Sequence, residues 1–300
     1  MYYTLTIMTH QVLLFYKYVT VEDPEALQGW VTERAKALGL TGRVIVAEEG
    51  INGTLEGTLP HTNIFKDELL LDPRFSDVQV KTSASKGDSF PKLSVKVRDE
   101  IVGTRFDKNK VDPRKETARH LRPEELRAWY ENQKDFVVVD MRNDYEFLSG
   151  HFKDSINPEL DNSRDLPAAL SRLEPLKNKT VLTVCTGGVR CEKMSAYLLS
   201  EGFSDVYQLD NGIHGYMEKY PGQDYLGTLY TFDQRLTMDF GGDREIIGRC
   251  MLCGAKTESY VNCADNTCHL HFLACEVCQK ENGTFCSETC SQNIIRTKVA

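Results

Sequence analysis

Ten cysteines stand in this 300-residue chain, and two arrangements of them point to different chemistry. The first is Cys185-Thr186-Gly187-Gly188-Val189-Arg190, a cysteine and an arginine with four residues between them. Glycines let such a short loop curl tightly, which turns backbone N–H groups inward. Those donors, with the positive end of a following helix, favour an anion at the loop's centre. A cysteine at the loop's start is then held as thiolate and is nucleophilic near neutral pH. Arg190 closes the loop with a fixed positive charge. The plainer alternative is an inert cysteine at a strand end, and the succession of strand, CxxxxR loop and helix weighs against it. The second arrangement is Cys250-x2-Cys253, Cys263-x4-Cys268, Cys275-x2-Cys278 and Cys286-x3-Cys290. Two-residue gaps let both sulfurs reach one tetrahedral ion, and eight thiolates are enough for two cross-braced Zn²⁺ ions. His269 and His271 are candidate substitutes or outer partners. Structural zinc is the leading expectation, ahead of disulfides, free thiols and an iron–sulfur cluster.

The loop needs a strand before it and a helix after it. Thr180–Val184 is a short apolar run of buried parallel-strand type that ends at Cys185, and 191–201 patterns as a helix stopped by Gly202. Phe136–Asp140 and Val206–Leu209 are further such strands, and Glu124–Glu131 suits a helix. Alternating strands and helices make a parallel α/β sheet, with reactive groups at the strand C-termini. Upstream the order is βαββαβ: Leu13–Val19, a helix over 22–38, Arg43–Ala47, a turn at Gly50–Gly53, Thr54–Glu56, a helix over 61–71 and Val78–Val80. This order predicts a ferredoxin-like α+β sandwich. Leu93–Val97 adds one half-exposed strand, and 107–122 is expected to connect domains. The expected units are 1–106, 122–227 and a Cys-rich 228–300.

The chain is 41% hydrophobic and 27% charged, as in ordinary globular proteins. Its longest early apolar run, Val12–Tyr16, is far short of the roughly 20 residues that span a bilayer. With no leader-like N-terminus, a cytoplasmic protein without membrane contact is expected. The net charge of −8 argues against simple coating of nucleic acid. Yet residues 81–122 carry twelve Lys or Arg against six Asp or Glu, a local excess that suits either a phosphate-binding face or a solvated linker.

Residues 122–227 resemble a rhodanese domain. The resemblance is carried by the Cys185 loop, Val139-Asp140-Met141-Arg142, Tyr145-Glu146, Gly150-His151-Phe152, Ser155-Ile156-Asn157-Pro158 and Asn211-Gly212-Ile213-His214-Gly215-Tyr216. It implies structural roles for Asp140, Arg142 and His151. It also implies sulfur rather than phosphate chemistry, since related phosphatases have five residues between Cys and Arg. Gly42-Arg43-Val44-Ile45-Val46-Ala47-Glu48-Glu49-Gly50-Ile51-Asn52-Gly53-Thr54 and Lys92–Val102 extend the likeness over nearly the whole chain. Together with the Cys-rich end, they make it similar to the bacterial tRNA wobble-uridine hydroxylase family.

That resemblance implies an oxidoreductase that uses molecular oxygen to hydroxylate C5 of the wobble uridine in the tRNA anticodon loop. It makes Cys185 the required residue, with Arg190 beside it and Thr186, Gly187, Gly188, Val189 and Cys191 around it. No flavin, haem or nicotinamide motif is recognised. Two thiol schemes are open: addition of the thiolate to C6 of the uracil, or carriage of activated oxygen on sulfur. Cys191 is either a resolving thiol or a packed residue. Lys92, Lys96, Arg98 and Arg105 are candidate RNA-phosphate contacts, and an unpaired wobble base can be splayed into a pocket at modest cost. The competing functions are a sulfurtransferase carrying a Cys185 persulfide and a non-catalytic binding module.

Overall fold

In the computed structural model, which describes residues 9–242 and 244–299, the N-terminal third is one sheet with helices on a single face. The expected extents 1–106 and 228–300 include residues outside the described ones, namely 1–8, 243 and 300. The elements are β1 (His10–Tyr18), α1 (Pro24–Ala37), β2 (Thr41–Ala47), β3 (Gly50–Thr58), α2 (Leu59–Leu71), β4 (Lys81–Ser85) and β5 (Leu93–Val97). The order across the sheet is β4-β1-β3-β2-β5. The first four strands are antiparallel to their neighbours, which is the ferredoxin-like arrangement, and β5 joins parallel to β2. Asp23 caps α1 by accepting from the Ala26 N–H, and Pro24 opens it with a ring already set for helical φ. Leu13, Phe15, Val44, Val46, Ile51 and Leu55 alternate onto the helix-covered face and form the core with Val31, Phe65 and Phe75.

Two details differ from the sequence reading. The fourth strand is Lys81–Ser85 rather than Val78–Val80. Val78 is buried, Val80 packs against the core, and both anchor the chain before the strand begins. Nor is Gly50–Gly53 a turn: β3 starts at Gly50, and the reversal is tighter, at Glu48-Glu49. Gly53 is paired within the strand, and a glycine stands there because the Phe15 ring would be only 2.5 Å from a Cβ.

The second unit is built on the parallel sheet β6-β10-β9-β7. Its elements are β6 (Arg119–Leu121), α3 (Pro123–Glu131), β7 (Val137–Asp140), α4 (Asp144–Ser149), β8 (Gly150–Phe152), α5 (Leu166–Leu173), β9 (Thr180–Val184), α6 (Val189–Ser200), β10 (Asp205–Leu209) and α7 (Gly212–Lys219). The stretch expected to be a plain connection thus supplies an edge strand, β6. Apolar clusters cover both faces of the sheet, as parallel strands require. Asp140 and Arg142 form a fully buried pair at 2.6 Å, and Arg142 also donates to the Gly150 carbonyl, which ties β7 to β8.

Beyond it, β11 (Tyr225–Gly227) returns to pair with β8, and β12 (Leu229–Tyr230) pairs with β13 (Thr237–Met238). The Cys-rich end carries β14 (Tyr260–Asn262), β15 (His271–Leu273), α8 (Glu276–Asn282) and α9 (Glu288–Val299). Its small core consists of Phe272, Ala274 and the cysteines themselves. Among the described residues no helix is long and apolar enough to cross a membrane.

Candidate active site and cysteine clusters

Cys185 sits at the C-terminal end of β9, an inner strand of the parallel sheet, where α/β folds place their chemistry. It is 1% exposed, and its sulfur accepts the Gly188 N–H at 3.3 Å. The chain turns through Gly188 at φ 103° directly into α6. The loop's back rests on Gly212 (φ 64°), where a Cβ would come within 2.5 Å of the Cys185 carbonyl oxygen. Burial opposes ionisation of Cys185. The Cys191 thiol, the Arg190 charge and the Cys191 and Arg190 N–H groups outweigh it, holding the thiol well below its ordinary range, at about 6. Cys191 shifts the other way, pushed up by burial and by the neighbouring Cys185 sulfur. The buried pair therefore holds one thiolate, on Cys185.

Arg190 does not point freely into the loop. Its guanidinium grips Glu146 of α4 in a two-pronged pair, at 2.8 Å for the second contact, and also donates to the Thr186 hydroxyl at 3.2 Å. Glu146 is fully buried and accepts from the Asn143 N–H and the Thr186 hydroxyl as well. The positive charge at the loop is thus largely matched by a carboxylate, and the pair braces loop against α4.

The first unit supplies the roof. The sheet face turned away from α1 and α2 carries Leu14, Tyr16, Arg43, Ile45, Asn52 and Thr54, all of which line a cleft with Cys185, Thr186, Gly187, Val189 and Arg190. The register places these residues in rows, with Leu14 opposite Thr54 and Thr54 opposite Arg43, then Tyr16 opposite Asn52 and Asn52 opposite Ile45. Leu14 lies over Gly187 and the Tyr16 hydroxyl over Gly188. Tyr16 donates to Glu192 at 3.1 Å, Tyr18 donates to the Val189 carbonyl at 3.2 Å, and Lys193 bridges Glu49 and Glu100 at 2.7 Å each. Asn143, Asn162, Arg164, Ile101 and Phe232 also line the cleft, whose volume of about 420 Å³ is in the range of small-molecule pockets. Phe232 is 48% exposed at the mouth, with the Arg190 guanidinium 5.4 Å from its ring centre.

Comparison with known proteins bears on the whole of this arrangement. The chain is 40% identical to the tRNA uridine(34) hydroxylase of Cytophaga hutchinsonii over 94% of its own length and 89% of that protein's. It belongs to the tRNA uridine(34) hydroxylase family. The relatives bearing that name in Staphylococcus carnosus and Enterococcus faecalis are 38% and 39% identical, each over 95% of this chain and 91% of theirs. Residues 10–101 match the family described as UPF0176 acylphosphatase like domain, 122–219 the Rhodanese-like domain, and 226–291 Rhodanase C-terminal. Among solved structures, a rhodanese-like domain protein from Staphylococcus aureus is similar at 27% identity, covering 33% of this chain and 90% of that one, with a TM-score of 0.28.

The candidate RNA contacts stand beside the cleft rather than in it. Lys92, Lys96, Arg98 and Arg105 are exposed. Lys96 is the β5 partner of Ile45 and so shares the cleft-facing side of the sheet. Arg105 has its N–H tied to Glu100 at 2.9 Å. Sequence reasoning missed Arg43, Arg164, Asn52, Asn143 and Phe232, and gave Glu146 no role beyond the likeness. Arg43 and Ile45 had a signal, since they alternate with the core residues Val44 and Val46. Arg164 lies in the single 3₁₀ turn Ser163–Asp165 and Phe232 in an irregular segment, and neither had one.

The eight C-terminal cysteines fall into two quartets, Cys250, Cys253, Cys275 and Cys278, and Cys263, Cys268, Cys286 and Cys290. Within each quartet every sulfur lies within 4.8 Å of the others. The pairing is interleaved along the chain, first pair with third and second with fourth, so the region is cross-braced. Four thiols converging on one point suit a tetrahedral ion. His269 and His271 belong to neither quartet. His271, which opens β15, stacks on Tyr260 and meets Asn262 at 2.8 Å and Tyr230 at 3.2 Å, so it packs against β14 and β12.

Proposed function

We propose that this protein hydroxylates C5 of uridine 34 in the tRNA anticodon loop, with molecular oxygen as co-substrate and Cys185 as the essential nucleophile. The observation that carries the reading is the roofed thiolate. A rhodanese loop alone presents its sulfur to any small acceptor, whereas here a second unit, shared with relatives named for tRNA hydroxylation, covers it with a cleft of mixed polarity. A splayed wobble base enters between the sheet face and the loop. Asn52 and Asn143 supply amide groups for its polar edge, and Phe232 offers a ring face at the mouth on which a base can stack. Arg43 and Arg164, with Lys92, Lys96, Arg98 and Arg105 outside, meet the flanking phosphates. The Cys185 thiolate adds to C6 of the ring, which makes C5 electron-rich. One atom of O₂ enters at C5, and the other leaves as water with two electrons and two protons from an external reductant. Loss of the C5 proton with breaking of the C6–S bond then restores the ring and the thiolate. Arg190 and Glu146 hold the loop in shape around the sulfur, and Cys191 keeps its proton and donates toward Cys185.

The units of this function are taken as 1–106, 122–227 and 228–300, in keeping with the spans of the three family matches. The two cysteine quartets hold structural Zn²⁺, which orders the small third unit against α4, where the Tyr260 hydroxyl donates to the Tyr145 carbonyl.

The test is mass spectrometry of nucleosides from tRNA lacking the modification, incubated with protein under ¹⁸O₂. The reading expects labelled 5-hydroxyuridine at position 34 with the native protein and none with Cys185→Ser. Sulfur transfer from thiosulfate without labelled nucleoside would instead support a Cys185 persulfide carrier.

A further inference from the structure

Among the described residues, the buried cations are Lys81, Arg142, Arg190 and Lys193. Three have carboxylates in contact: Arg142 has Asp140, Arg190 has Glu146, and Lys193 has Glu49 and Glu100. Lys81, at 7% exposed, has neither a salt-bridge partner nor a hydrogen-bond acceptor. A buried ammonium left this way is costly unless an anion stands near it.

Its position supplies one. Lys81 opens β4 and is the cross-strand partner of Leu14, so both project from the sheet face pressed on the loop. Leu14 lies on Gly187 and Tyr16 on Gly188, while the Lys81 ammonium stands 5.4 Å from the Tyr16 ring centre. The negative groups around it are Cys185 on the loop, Asp210 after β10, Glu218 on α7 and Glu192 on α6. Cys185 exerts the largest attraction of these. Glu192 is already engaged by His120, Gln208 and Tyr16. Lys219 is the nearby cation on α7, and it pairs with Glu124. With Arg190 matched by Glu146, a thiolate on Cys185 leaves the loop one negative charge in excess, and Lys81 is the buried cation not yet matched.

We propose that Lys81 is the counter-charge of the Cys185 thiolate, a positioning residue supplied by the first unit that raises the reactivity of the loop's sulfur while the two units are packed together. The inference rests on Cys185 as a reactive thiolate and not on the identity of the RNA substrate. The loop's thiolate is thereby favoured further by its roof, so that thiolate chemistry near neutral pH is strongest in the closed cleft.

The test uses the full-length protein without tRNA, so its failure is separate from that of the hydroxylase reading. Carbamidomethylation of Cys185 by iodoacetamide is followed from pH 5 to pH 10 by peptide mass spectrometry, in native protein, Lys81→Met and Lys81→Arg. Lys81→Met is expected to shift the midpoint upward, with labelling at pH 5 slowed about tenfold, one pKa unit's worth, and labelling at pH 10 unchanged. Lys81→Arg is expected to stay within about twofold of native, since the charge is kept. A native midpoint in Lys81→Met, or an equal loss at both ends of the pH range, would overturn the assignment. Should Lys81→Met fail to fold, reciprocity supplies the same test from the other side. In Cys185→Ser, acetylation of Lys81 at pH 7.5 should be several-fold faster than in native protein, and an unchanged rate would equally overturn it.

Discussion

Cys185 lies with a single other thiol beneath the first unit's sheet, whereas the eight C-terminal cysteines crowd into two quartets of mutual contact. Both settings bring sulfurs together and push thiol protonation in opposite directions within a group, yet the causes differ. At the loop, N–H donors and a cation gather around one sulfur, and its neighbour Cys191 remains protonated. In the first quartet, burial opposes ionisation of Cys250, but the N–H groups of Cys275, Cys253 and Leu252 bring it to about 6. Cys278 is then pushed up, chiefly by the Cys253 sulfur. In the second quartet Cys263 is drawn down against its burial, while burial and the Cys268 sulfur push Cys286 up to about 12. Four like charges at one point need a divalent ion, whereas one charge at a loop needs only donors and a counter-charge. The first arrangement suits a nucleophile, and the second suits a ligand set.

The comparison is broken most severely at Cys185. Cys185→Ser should reduce nucleoside hydroxylation to background while leaving metal content at two ions per chain. Cys250→Ser should do the reverse in part. Metal content, read by atomic absorption, should fall from two to one, and the third unit should lose order, because ion binding in such small regions is folding energy on the order of 10 kcal/mol. Third in size is Glu146→Gln, which leaves Arg190 buried without its carboxylate. Breaking a buried pair from one side costs about 3–5 kcal/mol, to be read by denaturant unfolding.

The pH dependence is gentler. Cys185 is held down at about 6, so its thiolate, and the stability it lends, is in place above the ordinary thiol range and lost as pH falls through about 6. Burial draws Lys81 down to about 8, so its charge is lost as pH rises through that value. Single-turnover hydroxylation should therefore rise through about 6 and level off, because the Lys81 charge is lost only where the thiolate is already fully formed. The smallest effect is expected from Lys96→Ala, which should weaken tRNA binding and reduce the slope of log affinity against log salt by about one.

Much of this was legible from residue order. The strand-loop-helix around Cys185 could be read because a run of branched residues meets two glycines and then a helical pattern, all within local reach. The ferredoxin-like order was legible for the same reason. Lys81–Ser85 was not, because Lys-Thr-Ser-Ala-Ser has weak strand character and forms β4 only through its pairing with β1. Arg119–Leu121 was likewise hidden, being three residues made into a strand by β10. The roof over Cys185 escaped altogether. Leu14, Asn52 and Arg43 lie far from residue 185 along the chain, and only the packing of one unit on the other brings them to the loop. The quartet partners were legible as a set, and their interleaved pairing became definite only in the fold.

The claim that Cys185 is the reactive thiol and the other cysteines are ligands or packing is tested most directly by competitive labelling of the native protein. Limiting iodoacetamide at pH 7, with each cysteine quantified by peptide mass spectrometry, should modify Cys185 first and abolish hydroxylation in step. Saturating unmodified tRNA should protect it, and the eight C-terminal cysteines should react only after chelation. Preferential labelling of the quartets in metal-replete protein, or full hydroxylation by protein labelled at Cys185, would contradict the account.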